Sequence, residues 1–242
     1  DTQFILLKKR KEAEAFMKAS TFKKFGSGIV IMFAIVLAIS AIVRYFVMDP
    51  ATSNTTLVEQ GMNMYDFHYQ PWNIFLFAHI MTASLAILIG PFQFFKKLRN
   101  KRKSLHRNMG KIYVVSILIS GITGIYLSYF AFGGVISKLG FFSLSIAWLI
   151  TTYLAYKNIR MKRIQEHERW MYRSYAVTFV AVTFRIWSAV IGYSLDNFEL
   201  GYTAAIWVSL VGNLVIMEYW LRRKLYQNRK LETIKTNHTL LD

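Results

Sequence analysis

Two histidines close the same short basic motif in this chain of 242 residues. His106 ends the segment LRNKRKSLH and His167 ends IRMKRIQEH, and both segments fit the pattern [L/I]-R-x-K-R-x-x-x-H. Each histidine precedes a long apolar stretch, so each is predicted to open a helix. Neutral imidazoles on two facing helices are suitable axial ligands for haem iron. The pair therefore predicts a b-type haem (haem b) in the core of a helical bundle.

The residues around His106 suit such a cofactor. Gly110 lies one helical turn later and leaves room for the porphyrin plane. Arg107 is the nearest candidate to pair with a haem propionate, and Arg99 and Arg160 are further candidates. The predicted cofactor site thus consists of two iron ligands, a small residue and a cation.

Two alternative roles for the histidines stay open. A mononuclear metal site needs a third or fourth protein ligand, and only Glu166 and Glu168 are close in the sequence. Alternatively, both histidines cap loops or contact lipid headgroups. The shared motif is open to two interpretations as well, namely a parallel repeat of two helices or the basic character of all cytoplasmic loops.

A second candidate site lies nearer the other face of the membrane. His79 and Arg185 are ionisable residues inside apolar stretches, where such groups are costly and therefore candidates for function. His79 is predicted about two turns and Arg185 roughly two and a half turns below the outer surface, where they would bind the head of a quinone or of an anionic lipophile. The alternative is a buried polar contact that fixes two helices to each other.

The composition places these residues in a membrane. Apolar residues make up 54% of the chain, charged residues 18%, and the mean hydropathy is +0.30. The absence of cysteine excludes disulfides, thiol catalysis and thiolate metal ligands. Six stretches are long enough to cross a hydrocarbon core of about 30 Å. These predicted spans are residues 29–48, 72–95, 112–132, 139–156, 172–193 and 202–221.

The net charge of +17 is concentrated between the predicted spans. Apart from Arg44, Lys138 and Arg185, the 30 Lys and Arg residues lie in four clusters, at 8–24, 96–111, 157–173 and 222–235. This spacing follows the positive-inside rule and predicts a multi-pass protein of the bacterial inner (cytoplasmic) membrane with both ends of the chain in the cytoplasm. It also makes anionic lipid, rather than nucleic acid, the partner of the charge.

The sequence therefore predicts an all-α integral membrane protein with three parts. Residues 1–27 form a cytoplasmic basic amphipathic segment, 28–222 a domain of six transmembrane helices, and 223–242 a cytoplasmic basic tail. The second to fifth transmembrane helices are predicted to form a core four-helix bundle.

Helical spacing relates the candidate residues to one another. His167 and Arg185 are 18 residues apart, or five turns, and share one face if their helix is regular. A stripe of small and polar residues on the same face is predicted to meet a similar stripe on the third transmembrane helix. The first stripe holds Ser174, Thr178, Ser188 and Gly192, and the second holds His106, Gly110, Tyr113, Ser120, Gly124 and Ser128.

At these positions the chain resembles a bacterial family of multi-pass membrane proteins catalogued as domain of unknown function 2306. The matching residues are His79 with the segment GPFQF at 90–94, LHRNMGKIY at 105–113, HERWMYRSYA at 167–176 and VTFR at 182–185. The resemblance spans about residues 71–220 and implies a helical membrane protein without implying an activity.

A looser similarity is to the ascorbate-linked and ferric-reductase-like cytochromes b, whose haem ligands come from alternate helices of a four-helix core. His106 and His167 match that alternation on the third and fifth spans. The pair on the second and fourth spans is incomplete, because only His79 is present.

The leading functional prediction is a membrane-embedded redox protein, which would be a membrane oxidoreductase if it is an enzyme. No residue is assigned a catalytic role. One alternative is a non-enzymatic accessory or structural subunit of a larger membrane complex. Another is a small-molecule transporter, which is less favoured because no span is predicted to be broken. Beyond the bilayer, the predicted partners are other membrane subunits or a second copy of the chain in a homodimer.

Overall fold

A computed structural model describes residues 28–43 and 69–239, with side chains described for 28–43 and 71–227. Within these residues the chain is helical and has no strand. The helices are α1 (Gly28–Ile42), α2 (Tyr69–Gln93), α3 (Lys96–Lys101), α4 (Lys103–Ser128), α5 (Gly134–Arg160), α6 (Ile164–Thr178), α7 (Val180–Ser194) and α8 (Phe198–Thr239). The predicted amphipathic segment at 1–27 and most of the connection between the first two spans lie outside the described residues.

Five segments are long and apolar enough to cross a membrane, in agreement with the last five predicted spans. They are Pro71–Gln93, Lys103–Ser128, Gly134–Arg160, Ile164–Ser194 and Phe198–Gln227. The helices extend further than the hydropathy indicates, because Lys and Arg are good helix formers and backbone hydrogen bonding does not end where charge begins. For this reason the last helix continues to Thr239, through most of the predicted tail.

Four helix segments form a ring that matches the predicted core. α2 packs against α4, α4 against α5, α5 against α6, and α6 against α2, while α8 packs on α7, α6 and α5. α4 and α6 therefore lie diagonally across the ring. Tyr113 of α4 crosses the centre and its hydroxyl lies 3.0 Å from both Ser174 Oγ and Thr178 Oγ1 of α6. The predicted meeting of the two polar stripes is confirmed.

The contact between α2 and α6 depends on a gap in the surface of α2, into which a side chain of α6 fits. A Cβ at Gly90 would lie 2.2 Å from the Tyr175 ring, so glycine is needed for that ring to fit. The next residue, Pro91, has no N–H to donate to the carbonyl of Ile87, four residues earlier. The Tyr175 hydroxyl donates to that carbonyl at 3.2 Å instead. Gly90 and Pro91 together thus form the seat for Tyr175 of α6.

The helix α1 turns a face of alanines inward. Ala34, Ala38 and Ala41 are 1%, 1% and 8% exposed, and Ala34 forms a cluster with Ile87 of α2 and Val182 of α7. Its bulky residues point outward, where a lipid environment would receive them; they include Met32, Val36 and Ile39. Alanines allow close helix packing in membranes.

The fifth predicted span divides into α6 and α7 at Phe179. The backbone N–H groups of Val182 and Thr183 both donate to the Phe179 carbonyl, at 3.0 and 3.2 Å, and the Phe179 N–H donates to the Tyr175 carbonyl. The turn therefore lies within one continuous candidate span, Ile164–Ser194, in agreement with the expectation that this span is unbroken.

Candidate functional site

The two histidines of the basic motif occupy equivalent positions at two helix junctions. His106 is the fourth residue of α4 and His167 the fourth residue of α6, and each helix begins directly after an arginine, Arg102 or Arg163. The backbone N–H of His106 donates to the Arg102 carbonyl at 3.0 Å, and the backbone N–H of His167 donates to the Arg163 carbonyl at 2.9 Å. The common motif therefore has a common geometry.

The imidazole of His167 is held in one orientation. Its Nδ1 lies 2.8 Å from the backbone carbonyl of Ala155 in α5. Because a carbonyl oxygen only accepts hydrogen bonds, Nδ1 carries the proton, and the lone pair of a neutral ring is then on Nε2. Histidines that ligate metals are commonly oriented by such a hydrogen bond.

The imidazole of His106 has no such anchor. Its Nδ1 is enclosed and makes no hydrogen bond with the described residues. His106 and His167 are 61 residues apart, so the position equivalent to Ala155 is Phe94. Phe94 lies in the turn after α2, which ends at Gln93, whereas α5 continues to Arg160. The first junction thus lacks the helical carbonyl that anchors the second histidine.

A residue without a predicted role lies in the same corner of the bundle. Gln93 is only 3% exposed, and its Nε2 makes no hydrogen bond within the described residues. Its Oε1 lies 3.5 Å from the position a Cβ would take at Gly110, one turn after His106. The sequence signal for Gln93 was an amide at the end of an apolar span, at the level of a candidate ligand.

Charged residues tie the second junction to its surroundings. Glu168, next to His167, pairs with Arg99 of α3 at 3.2 Å and with Lys224 of α8 at 3.1 Å. Arg99 is therefore engaged by a carboxylate, while Arg107 is exposed on α4. Glu166 pairs with Arg169. Among the described residues no group of three or more potential metal ligands occurs.

The imidazole of His79, in α2, is also held by a backbone carbonyl. His79 Nδ1 lies 2.9 Å from the Ser120 carbonyl of α4, and Ser120 Oγ donates back to the His79 carbonyl at 3.1 Å. The ring packs on Gly124, where a Cβ would lie 3.3 Å from its Cε1. Trp148 of α5 meets the ring edge-on, with centroids 6.5 Å apart.

Arg185 lies on the exposed side of α7, and its Nη1 donates to the carbonyl of Ala181 in the same helix at 2.6 Å. The His79 Nδ1 contact thus reaches α4, whereas the Nη1 hydrogen bond of Arg185 stays within α7. His167 is in α6 and Arg185 in α7, so the predicted common face of the two residues spans the turn at Phe179.

A comparison with known protein families places the chain in one of them. A model of the family described as predicted membrane protein, domain of unknown function 2306 (DUF2306), matches residues 76–221, which is more than half of the chain. The chain belongs to this family. No curated protein and no solved structure matches it.

The segment matched by the DUF2306 model contains every candidate residue described above, from His79 to Arg185. Between the level of His79 and that of His106 and His167 it contains a layer of hydrogen-bonded side chains. Ser174 Oγ lies 2.7 Å from Thr152 Oγ1, and Trp148 Nε1 donates to Thr178 Oγ1 at 2.8 Å. With Tyr113, this layer separates two polar regions of one multi-pass membrane protein.

Proposed function

We propose that this protein carries electrons within the membrane by means of a b-type haem held between α4 and α6, with His106 and His167 as its axial ligands. The observation that carries the proposal is the equivalent register of the two histidines on diagonal helices of a four-helix ring. Diagonal helices face each other across the centre of a bundle, and a flat cofactor would lie there at the level of the two histidines, about two turns from the Tyr113 contact.

The polar atoms of the inner corner are consistent with this ligand. The Ala155 carbonyl holds His167 with Nε2 as the acceptor nitrogen, which is the form that ligates iron. The enclosed Nδ1 of His106 and the enclosed Nε2 of Gln93 are polar atoms that the described residues leave unsatisfied. Gly110 leaves the side of α4 open, and the exposed Arg107 is available for a propionate. A bound haem would supply one-electron chemistry.

We further propose six spans, with both ends of the chain in the cytoplasm of a bacterial cell. The alanine face of α1 packs on α2 and α7, which supports a sixth helix in the bilayer. The basic residues around α3 and around the α5–α6 junction lie at the same end of the ring, and the positive-inside rule puts that end in the cytoplasm. A second ligand site, for a quinone or another lipophile, lies around His79 on the outer side of the Tyr113 layer, with Arg185 as a further contact.

Absorption spectroscopy tests the haem proposal. The full chain is purified in detergent from haem-supplemented cells, and spectra are recorded before and after addition of dithionite. We expect a Soret band and sharp α and β bands on reduction, with about one haem per chain by pyridine haemochrome assay. The double variant His106→Ala/His167→Ala should lose these bands, whereas His238→Ala, a histidine near the end of α8, should keep them. A colourless protein from haem-replete cells would overturn the proposal.

A further inference from the structure

The environment of His79 determines which kind of ligand its ring can bind. The partner of Nδ1 is the Ser120 carbonyl, which can only accept, so Nδ1 carries the proton. A neutral ring is the form expected at membrane depth, because an isolated charge there is costly. The remaining nitrogen, Nε2, then has a lone pair and is a hydrogen-bond acceptor.

The ring has little freedom to exchange its two nitrogens. Thr82 Oγ1 lies 2.6 Å from Ser120 Oγ, which in turn donates to the His79 carbonyl. Gly124 supports one side of the ring, and Trp148 lies at its edge. A flipped ring would present a carbon to the Ser120 carbonyl and lose the hydrogen bond at 2.9 Å.

The acceptor nitrogen remains available to a ligand. Within the described residues Nε2 makes no hydrogen bond, and unlike Nδ1 of His106 it is not enclosed. His79 is partly buried where it faces the other helices of the ring. Among the described helices α7 packs extensively on α8 and not on α2 or α4, and α1 packs on both α2 and α7. The unshared lone pair of Nε2 is therefore the feature of this ring that a ligand can use.

The chemistry of the ligand follows from the acceptor. A phenolic hydroxyl can donate to Nε2, and its ring can rest against aromatic side chains such as Trp148. The carbonyl of an oxidised quinone has no proton to donate and would bring one lone pair against another. We propose that His79 is the acceptor of a site for a lipophilic hydroquinone, which discriminates the reduced from the oxidised form of a quinone. The inference rests on the outer site of the proposed function and does not require the haem.

Binding to haem-free protein separates this inference from the haem proposal. The double variant His106→Ala/His167→Ala is reconstituted in nanodiscs and titrated under argon with decylubiquinol or with decylubiquinone. Nitrogen-15 NMR of labelled histidine follows the ring nitrogens, with His79 assigned from the His79→Phe variant. We expect an Nδ1-protonated His79 whose Nε2 resonance shifts with decylubiquinol. Binding of the reduced form should be at least about tenfold tighter, because the oxidised form cannot make the hydrogen bond.

The variants His79→Phe and His79→Gln sharpen the result. Phenylalanine cannot accept, so the preference for the reduced form should disappear. A glutamine amide both donates and accepts, so both forms should bind with similar affinity. Equal affinity of the His79 protein for both forms, tighter binding of the oxidised form, or no binding of either would overturn the inference. A colourless wild-type protein would overturn only the haem proposal, because the titration uses haem-free protein.

Discussion

The hairpin of α2 and α4 and the hairpin of α5 and α6 present His106 and His167 in the same register, but they support these histidines differently. In the second hairpin the first helix runs on to Arg160 and offers the Ala155 carbonyl to His167. In the first hairpin the helix ends at Gln93, and His106 Nδ1 finds no equivalent acceptor among the described residues. The second hairpin therefore holds its histidine in one orientation, whereas the first contains buried polar atoms that no described residue satisfies.

The difference begins with two neighbouring residues of α2. Gly90 and Pro91 open a notch that admits Tyr175 from the other hairpin, and the helix ends two residues later. The equivalent positions in α5, 61 residues later, are Thr151 and Thr152, which carry Cβ atoms and backbone N–H groups. The same motif thus follows a helix that is interrupted in one hairpin and continuous in the other.

The largest effect is expected where the hairpins interlock. In the Gly90→Ala variant the new Cβ would overlap the Tyr175 ring at 2.2 Å, and overpacking of this kind costs about 1–3 kcal/mol of folding free energy. Thermal and SDS unfolding in detergent measure the loss. The matched control is Gly212→Ala in α8, where an added Cβ would meet no neighbouring atom of the described residues within 4 Å outside its own helix, and stability should rise by up to about 1 kcal/mol. Equal stability of Gly90→Ala and wild type would show that the notch is not needed.

The unsatisfied amide of Gln93 predicts that one substitution has opposite effects on the stability of the ligand-free and the ligand-bound protein. Gln93→Leu removes a buried group that has no partner among the described residues, so the ligand-free protein should gain about 1 kcal/mol. The haem-loaded protein should gain less or lose stability if the amide contacts the ligand. The free energy of unfolding is measured for the ligand-free and the haem-loaded variant. The control is Gln227→Leu at an exposed position, where the expected change is within about 0.5 kcal/mol. A destabilised ligand-free variant would mean that Gln93 already has a partner.

The hydrogen bonds of Tyr113 across the ring predict a smaller loss of stability. Tyr113→Phe removes the hydroxyl that lies between Ser174 and Thr178, and hydrogen bonds between membrane helices average about 0.6 and reach about 1.7 kcal/mol. The control Tyr193→Phe alters a side chain that is 89% exposed and should change nothing measurable. Unfolding in detergent is again the measurement. Equal effects of the two variants would mean that the hairpins are joined without this hydroxyl.

The smallest effect is expected at the ion pairs of the second hairpin. Glu168→Gln removes its pairs with Arg99 and Lys224, and partly exposed pairs contribute less than about 1 kcal/mol. The loss should shrink at about 0.5 M salt, where the charges are screened. Glu166→Gln, which affects a pair within one helix, should have a still smaller effect. A loss that is independent of salt would contradict an electrostatic origin.

The sequence was sufficient for features that depend on local pattern. Hydropathy located the last five spans, and helical spacing brought Tyr113 and Ser174 together. The motif put His106 and His167 in one register. These features depend on residues a few turns apart, where the geometry of a helix decides position.

Other features depend on tertiary packing and could not be predicted in this way. Glu168 accepts a hydrogen bond from Lys224 of α8, which is 56 residues later in the chain. The burial of Gln93 depends on where α2 ends. In each case a break in a helix or a distant partner changes a position that regular spacing would fix differently.

The notch for Tyr175 also has a consequence for synthesis of the protein in the cell. The Tyr175 hydroxyl and the Ile87 carbonyl are 88 residues apart in the chain. While the ribosome is still making α5, the first hairpin is already available for insertion, with a carbonyl freed by Pro91 and no tyrosine to cover it. An exposed carbonyl is unfavourable in lipid. The insertion machinery would therefore have to keep this carbonyl away from lipid until α6 is synthesised. A chain truncated before Tyr175 should be degraded by membrane proteases.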